Sequence, residues 1–221
     1  MKLWKKLTAL VMALGMTVAM VACGGDKDGD NSSSVSSSQA AASGQLSKEE
    51  IAAAKQKAAD ATNFTIQAKR SMEVAGEVVV MEYTQKVAGD KVYIEGTSTV
   101  DGTSENSYTY VGTVNGVKYM WMSLDGEEWQ SMEYDEVILG QNPFEALSET
   151  DLNYMDDATH AAEYDEEKGC HIFTHMNVVV EVTIVNGDIV KYRFDTAANV
   201  WHEYTISYGN TTVGDLPVLS E

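Results

Sequence analysis

Apolar and polar residues follow a different pattern in successive stretches of the chain. Residues 7–21 are mostly apolar and carry no charge, and residues 24–45 are dominated by small and polar side chains. From Asn63 onward, apolar and polar residues alternate. A change of period along a chain predicts a change of structure. The pattern therefore predicts an apolar leader, a polar linker and a folded part rich in β-strands.

A helix is predicted between the linker and the alternating stretch. Ser47 and Glu50 have the spacing of a capping box, in which each side chain binds the backbone N–H of the other residue. Leu46 and Ile51 flank this box as a hydrophobic staple. Alanines extend the helix to about Ala61. Because its apolar side chains are small, we expect the helix to lie flat against a sheet.

The alternating stretch predicts antiparallel strands joined by tight turns. Phe64, Ile66 and Ala68 alternate with polar residues, as in a strand with one buried face. Asn-Gly and Asp-Gly pairs favour the positive φ angles that two-residue hairpin turns require. Such pairs recur at a spacing that fits a meander, at Asp101-Gly102, Asn115-Gly116, Asp125-Gly126 and Asn186-Gly187.

The strand pattern is interrupted between residues 137 and 156. Asn142, Pro143 and Glu145 follow the order of a helix start, with asparagine as the cap and proline in the first turn. The segment also presents apolar residues: Val137, Ile138, Leu139, Phe144, Leu147 and Leu152. We therefore predict about six strands, a helical insert that covers the open side of the sheet, and four or five further strands.

This order of elements resembles that of the LolA/LolB-type lipoprotein carriers and the LppX/LprG-type mycobacterial lipoproteins over about residues 46–217. The resemblance rests on the helix leading into residues 63–66, the hairpin at 182–191 and the ending at 206–210. It implies an α+β, mainly β fold. In those families a strongly bent antiparallel sheet, a half-barrel, wraps around helices, here the N-terminal helix and the short insert, and encloses an apolar cavity.

The leader has the pattern of a lipoprotein signal peptide. Lysines precede the apolar run, and Ala22 and Cys23 follow it where the polar linker begins. A basic start, an apolar centre and a small residue before the cut describe a secretory signal, and a cysteine directly after the cut can accept diacylglycerol. An uncleaved signal anchor and an ordinary secreted protein are the alternatives. We predict lipidation of Cys23 and an extracytoplasmic protein anchored to the outer face of the cell membrane.

These features divide the 221 residues into three parts. Residues 1–22 form the signal peptide, residues 23–45 hold the acylated cysteine and a flexible tether rich in glycine, serine and aspartate, and residues 46–221 form one β-rich domain. The formal net charge is -19, and loss of the three leader lysines brings it to about -22. This acidity argues against nucleic acid as a partner and leaves the lipid as the membrane contact.

The reactive side chains form no pattern that predicts catalysis. His171 and His175 are four residues apart in a predicted strand, a separation of roughly 13 Å that is too long for one metal ion. Cys170 and His171 are neighbours, so in a strand they point to opposite faces and cannot pair. The acidic pairs lie in loop-like stretches. We predict that the protein is not an enzyme and uses neither a metal nor a cofactor.

Aromatic and apolar side chains are the candidate ligand-binding residues. Tyr119 and Trp121 alternate with methionines, and both residue types adapt to irregular apolar contacts. Together with Leu139, Phe144 and Leu147 they are the predicted lining of a lipid-sized cavity, and simple core packing is the alternative. The predicted function is binding or shuttling of a hydrophobic, lipid-like ligand. The alternative is a non-enzymatic structural or sensory module with an unknown protein partner, for which a filled core is expected instead of a void of several hundred Å³.

Overall fold

The computed structural model describes residues 44–74, 76–134, 142–155, 163–175, 178–197 and 199–219. Over these residues the protein is mainly β, with eleven strands in one antiparallel sheet that is not closed, and two helices. This confirms the predicted mainly β class. No helix in the described residues is long and apolar enough to cross a membrane.

The elements follow the predicted order of a helix, six strands, a helical insert and five strands. Helix α1 (Lys48–Ala59) is followed by β1 (Asn63–Val74), β2 (Glu77–Ala88), β3 (Lys91–Val100), β4 (Thr103–Val114), β5 (Val117–Ser123) and β6 (Gln130–Glu133). Helix α2 (Glu149–Asn153) is followed by β7 (Glu163–Asp165), β8 (Cys170–His175), β9 (Val178–Val185), β10 (Asp188–Ala197) and β11 (Val200–Tyr208).

Helix α1 begins at the predicted capping box. The Ser47 hydroxyl accepts a hydrogen bond from the Glu50 backbone N–H at 3.2 Å, and the Glu50 carboxylate accepts one from the Ser47 N–H at 2.8 Å. These bonds satisfy N–H groups that a helix start leaves without partners, and they lower the pKa of Glu50. The helix ends two residues before the predicted end. Its buried residues are Ile51, Ala54 and Ala58.

The sheet consists of two meanders that meet at their first and last strands. Strands β1 to β6 pair in chain order, β7 to β11 also pair in chain order, and β1 pairs with β11. Strands β6 and β7 are therefore the two edges of the sheet. Asn115 and Asn186 each have a φ of 53°, and the glycines after them are also at positive φ, as the predicted hairpin turns require.

The two faces of the sheet have different neighbours. The face against which α1 packs, called the inner face, carries Phe64 and Ile66 of β1 in one hydrophobic cluster with Ile51 of α1 and Leu147 of the insert. The insert is defined here as residues 142–155. Because side chains alternate along a strand, Tyr93 of β3 and its cross-strand neighbours lie on the opposite, outer face.

The chain after β11, called the C-terminal tail (residues 209–219), crosses the outer face. The Asn63 side chain binds Thr211 twice, because its Nδ2 donates to the Thr211 carbonyl at 3.0 Å and its Oδ1 accepts from the Thr211 N–H at 2.9 Å. Further on, Leu216 lies over Gly112 of β4, where a β-carbon would stand 2.7 Å from Leu216 Cδ1. The tail packs in this position because residue 112 has no side chain.

Replacement of Gly112 by valine is expected to push Leu216 out of its recess. The free energy of unfolding should fall by about 1 kcal/mol, because a half-buried leucine returns to water. Amide hydrogen exchange of residues 211–219 should become faster, which mass spectrometry measures together with urea unfolding. Thr113→Val is the control, since this neighbour faces the other side of β4. Unchanged exchange in the Gly112→Val protein would contradict the proposed packing of the tail.

Candidate functional site

A small cavity lies between the inner face of the sheet and the insert. Its volume is about 100 Å³. Strands β1 to β5 and β11 contribute its floor, and the insert contributes its roof. The apolar part of the lining consists of Ile66, Ile94, Val111, Met120, Met122, Pro143 and Ala146. The polar part includes Arg70, Tyr83, Gln85, Thr109, Ser148, Asp151 and Tyr204.

Two residues of opposite charge are buried beside this cavity. The exposed fraction of Arg70 is 1% and that of Asp151 is 6%. The Arg70 guanidinium carbon lies 5.5 Å from the centre of the Tyr83 ring, within the range of a cation–π contact. Burial raises the pKa of Asp151, while hydrogen bonds from Ser148 and the charge of Arg70 oppose this rise. The opposite charges reduce the cost of burying either one alone.

The insert is attached to the inner face through backbone carbonyls as well as apolar side chains. The Gln85 side chain donates a hydrogen bond to the Pro143 carbonyl at 2.6 Å, and the Tyr192 hydroxyl donates one to the Asp151 carbonyl. The buried apolar residues of the insert are Ala146, Leu147, Leu152 and Met155. In its described part, the insert therefore packs on the inner face. Its helix is confined to Glu149–Asn153, so the predicted helix start at Asn142 and Pro143 is wrong. The Asn142 side chain instead accepts a hydrogen bond from the Phe144 N–H at 3.1 Å within a turn.

A larger groove lies on the outside of the insert, between it and α1. Its volume is about 530 Å³. Apolar side chains from α1, the insert and β8 line it, namely Ile51, Leu147, Leu152, Met155 and Phe173. Lys48, Lys55, Glu145 and Glu149 bring both signs of charge to the same groove. Such a combination of apolar walls and a few charged groups suits an amphipathic ligand.

The structure separates the predicted ligand-binding residues. Leu147 is buried and lines the groove. Phe144 is half-buried against the core, with its ring centre 6.3 Å from that of Tyr134. Tyr119 and Trp121 lie on the outer face, where their β4 partners are Gly112 and Tyr110, and they line neither the inner cavity nor the groove. Leu139 lies outside the described residues, as does Cys23.

Several residues that line the cavity and groove were not singled out from the sequence. Phe173 and Met155 join Ile51 only through long-range packing, which leaves no local pattern. Arg70 did have a local signal, because it is in phase with the buried positions Phe64, Ile66 and Ala68 of the same strand. A charged residue at a buried phase indicates an internal polar group. The ligand-binding role assigned to Tyr119, Trp121, Phe144 and Leu147 stays a prediction.

The histidines and the cysteine of β8 lie in a strand, as predicted. His171 accepts a hydrogen bond at Nε2 from the Leu46 N–H at 3.0 Å, which connects the start of the domain to β8. Cys170 is buried, and burial raises the pKa of its thiol. Within the described ranges, no group of three or more His, Cys, Asp or Glu side chains could hold a metal ion. His160 lies outside those ranges.

The chain matches no protein-family model and no curated protein sequence. The resemblance to lipoprotein carriers therefore stays a prediction.

Proposed function

We propose that the protein is an extracytoplasmic lipoprotein, held at the outer face of the membrane by the lipid on Cys23, whose domain binds a hydrophobic, lipid-like ligand. The ligand lies in the groove between α1 and the insert. The observation that carries this proposal is the groove of about 530 Å³ with its apolar lining. Small-molecule sites typically have about 300–1,000 Å³, so the groove is large enough for one ligand.

The inner cavity is too small to hold such a ligand. Its volume of about 100 Å³ is below the range of about 300–1,000 Å³ that is typical of small-molecule sites. An acyl chain in the groove would instead lie against Ile51, Leu152 and Phe173 and gain about 0.8 kcal/mol for each CH₂ that leaves water. A half-open groove also suits a carrier, because the ligand can leave without passage through the core.

We also propose that the sheet is strongly bent around α1 and the insert. Asp151 lines the same cavity as Met122 of β5, while its neighbour Leu152 lines the same groove as Phe173 of β8. Eight strand spacings separate β5 from β8 in the sheet, which is roughly 38 Å in a flat sheet at about 4.8 Å per strand. Two consecutive residues reach both strands more easily when the sheet curves around them.

A structural or sensory module remains the second candidate function. It is favoured by the small volume of the inner cavity, which is about 100 Å³. In this case the insert would plug the sheet, and an unidentified protein partner would use an exposed face or edge. Ligand binding distinguishes the two candidates, because the module requires no apolar ligand.

Enlarging one side chain in the groove is expected to block ligand binding. Ala52 is an exposed residue of α1 that lines the groove, and Ala53 is its exposed neighbour outside it. With the acylated protein in detergent-free nanodiscs, Ala52→Phe should weaken binding of a fluorescent fatty acid by at least about tenfold, because the ring occupies the place of the acyl chain. Ala53→Phe should bind like the wild type, and both should melt at the wild-type temperature.

Two results would count against this function. If the wild-type protein does not bind the fluorescent fatty acid, the carrier proposal is excluded and the module becomes the better explanation. If Ala52→Phe and Ala53→Phe lose affinity equally, the probe does not occupy the groove.

A further inference from the structure

The outer face carries a row of aromatic side chains that ends in a second groove. The ring centres of Tyr93 and Tyr110 are 4.6 Å apart, and those of Tyr110 and Trp129 are 5.2 Å apart with planes at 60°. The Tyr110–Trp129 pair therefore forms a corner. This corner opens onto a groove of about 580 Å³, called the aromatic groove, whose other lining residues are Gly126, Glu127, Asp215, Pro217, Val218 and Leu219.

The charged residues that line the aromatic groove are negative. Glu127 and Asp215 are the charged residues among those that line the aromatic groove. A third carboxylate lies nearby, since Glu95 Oε2 accepts a hydrogen bond from the Tyr93 hydroxyl at 3.0 Å. Burial and the negative charges of Glu95 and Asp215 raise the pKa of Tyr110. An aromatic corner flanked by carboxylates attracts cations through both the ring quadrupole and the net charge.

The same aromatic row already holds a cation from the chain itself. Lys86 Nζ lies 5.7 Å from the centre of the Tyr93 ring, which is within the cation–π range of about 6 Å. Tyr93 is thereby engaged, whereas the Tyr110–Trp129 corner faces the open groove. Tyr93 thus shows that a ring of this row can hold a cation, and the rings of Tyr110 and Trp129 are open to a cation from a ligand.

Glu127 and Asp215 lie in segments whose backbone is held by other contacts of the chain. Asp125 Oδ1 accepts hydrogen bonds from the backbone N–H groups of Glu127 at 2.8 Å and Glu128 at 2.9 Å, which shapes the loop before Trp129. Asp215 is adjacent to Leu216, which packs over Gly112. Because both segments are attached to the sheet, little ordering is required when a ligand binds, and this favours affinity.

We propose that the aromatic groove is a binding site for a small organic cation of the quaternary ammonium type. The cation contacts the faces of Tyr110 and Trp129, and Glu127 and Asp215 balance its charge. Ligands with a phosphate or carboxylate next to the cation are disfavoured, because that group would meet the two carboxylates. The site lies on the face opposite to the groove near α1, so it does not depend on the function proposed above.

Choline is the probe that tests this site with the protein as it is isolated from cells. Ligand-detected NMR should show choline binding at least about fivefold more tightly than 3,3-dimethyl-1-butanol, which has nearly the same shape without the charge. Phosphocholine should also bind more weakly than choline. Equal binding of choline and the neutral alcohol would overturn the proposal and indicate an apolar groove only. Absence of choline binding would overturn it as well.

Charge-neutral variants separate the site from general attraction to an acidic protein. Glu127→Gln with Asp215→Asn should weaken choline binding by about twofold to tenfold and leave the melting temperature unchanged. Glu166→Gln with Glu167→Gln removes the same charge from the β7–β8 turn and should have no effect. Equal losses in the two double variants would overturn the proposal. Tyr110→Leu should reduce binding further, and its fold is checked by circular dichroism.

Discussion

Replacement of Cys23 by alanine is expected to move the protein out of the membrane fraction once the leader has been removed. The lipid requires the Cys23 thiol, and several buried acyl chains at about 0.8 kcal/mol per CH₂ make such an anchor long-lived. The acidic chain has no electrostatic attraction to anionic lipids. Loss of the lipid should therefore remove all stable attachment.

Cell fractionation with mass spectrometry of the N-terminal peptide measures this effect. Wild-type protein should carry diacylglycerol on Cys23, and the Cys170→Ala control should remain in the membrane fraction with its lipid. A Cys23→Ala protein that has lost its leader and still sediments with membranes would show that another contact holds the protein there. The proposed localisation would then be wrong, although ligand binding in the groove could still be correct.

Acidification from pH 6.5 to pH 4 is expected to cost the domain about 3 kcal/mol through His202 alone. His202 has an exposed fraction of 6%, stacks on Phe194 at 4.4 Å and lies within hydrogen-bond distance of the Tyr204 hydroxyl at 3.1 Å. Burial, with a contribution from the charge of Arg70, lowers its pKa to about 4, against about 6.5 when unfolded. The folded form thus keeps the ring neutral, while the unfolded form takes up a proton.

The sign of the effect follows from this difference in proton binding. The free energy of unfolding is highest above pH 6.5. It falls by about 1.4 kcal/mol per pH unit between pH 6.5 and pH 4, and it levels off below pH 4, where His202 is protonated in both the folded and the unfolded form. Asp151 acts in the opposite direction, because burial raises its pKa. The effect of His202 must therefore be measured as a difference between two proteins.

Urea unfolding at pH 7 and pH 4.5 provides this measurement. The free energy of unfolding of the wild type should fall more between the two values than that of His202→Gln, which has no ring to titrate. The difference between the two falls should be about 2.4 kcal/mol, because at pH 4.5 part of the interval between the two pKa values has not yet been crossed. Equal pH dependence in the two proteins would show that His202 titrates normally and is more accessible than its packing indicates.

The two proposed binding sites lie on opposite sides of the sheet and differ in chemistry. The groove near α1 collects apolar side chains and both signs of charge, whereas the aromatic groove collects rings and carboxylates. Tyr110 on one face of β4 and Val111 on the other show how alternation places two chemistries on one strand. The fatty-acid and choline experiments test the faces independently.

The order of elements could be predicted from local pattern. The Ser47–Glu50 capping box and the turns at Asn115 and Asn186 depend only on neighbouring residues, and each is present as predicted. The alternation of apolar and polar residues from Phe64 to Ala68 likewise predicts the buried face of β1, because it depends only on the residues of that strand. Arg70 falls in the same phase and is likewise buried.

The lining of the sites was decided only by tertiary structure. Tyr119 and Trp121 are adjacent in sequence to Met120 and Met122. The two methionines nevertheless lie on the inner face, and the two aromatic residues lie on the outer face. Which face receives α1 and the insert depends on contacts across the whole sheet. Nothing near Phe173 in sequence indicates that it meets Ile51, since β8 and α1 come together only when the meanders pair through β1 and β11.

The sequence by itself therefore determined the mainly β class of the fold, the turns at Asn115 and Asn186 and the start of α1, because each of these depends on residues within a few positions of one another. The lipid anchor on Cys23 stays a prediction. The tertiary structure alone decided the volume of the inner cavity, the groove at Ile51 and Phe173, and the corner formed by Tyr110 and Trp129. These features depend on how distant strands and loops pack, and close packing leaves space only where the shapes of remote segments fail to fill it.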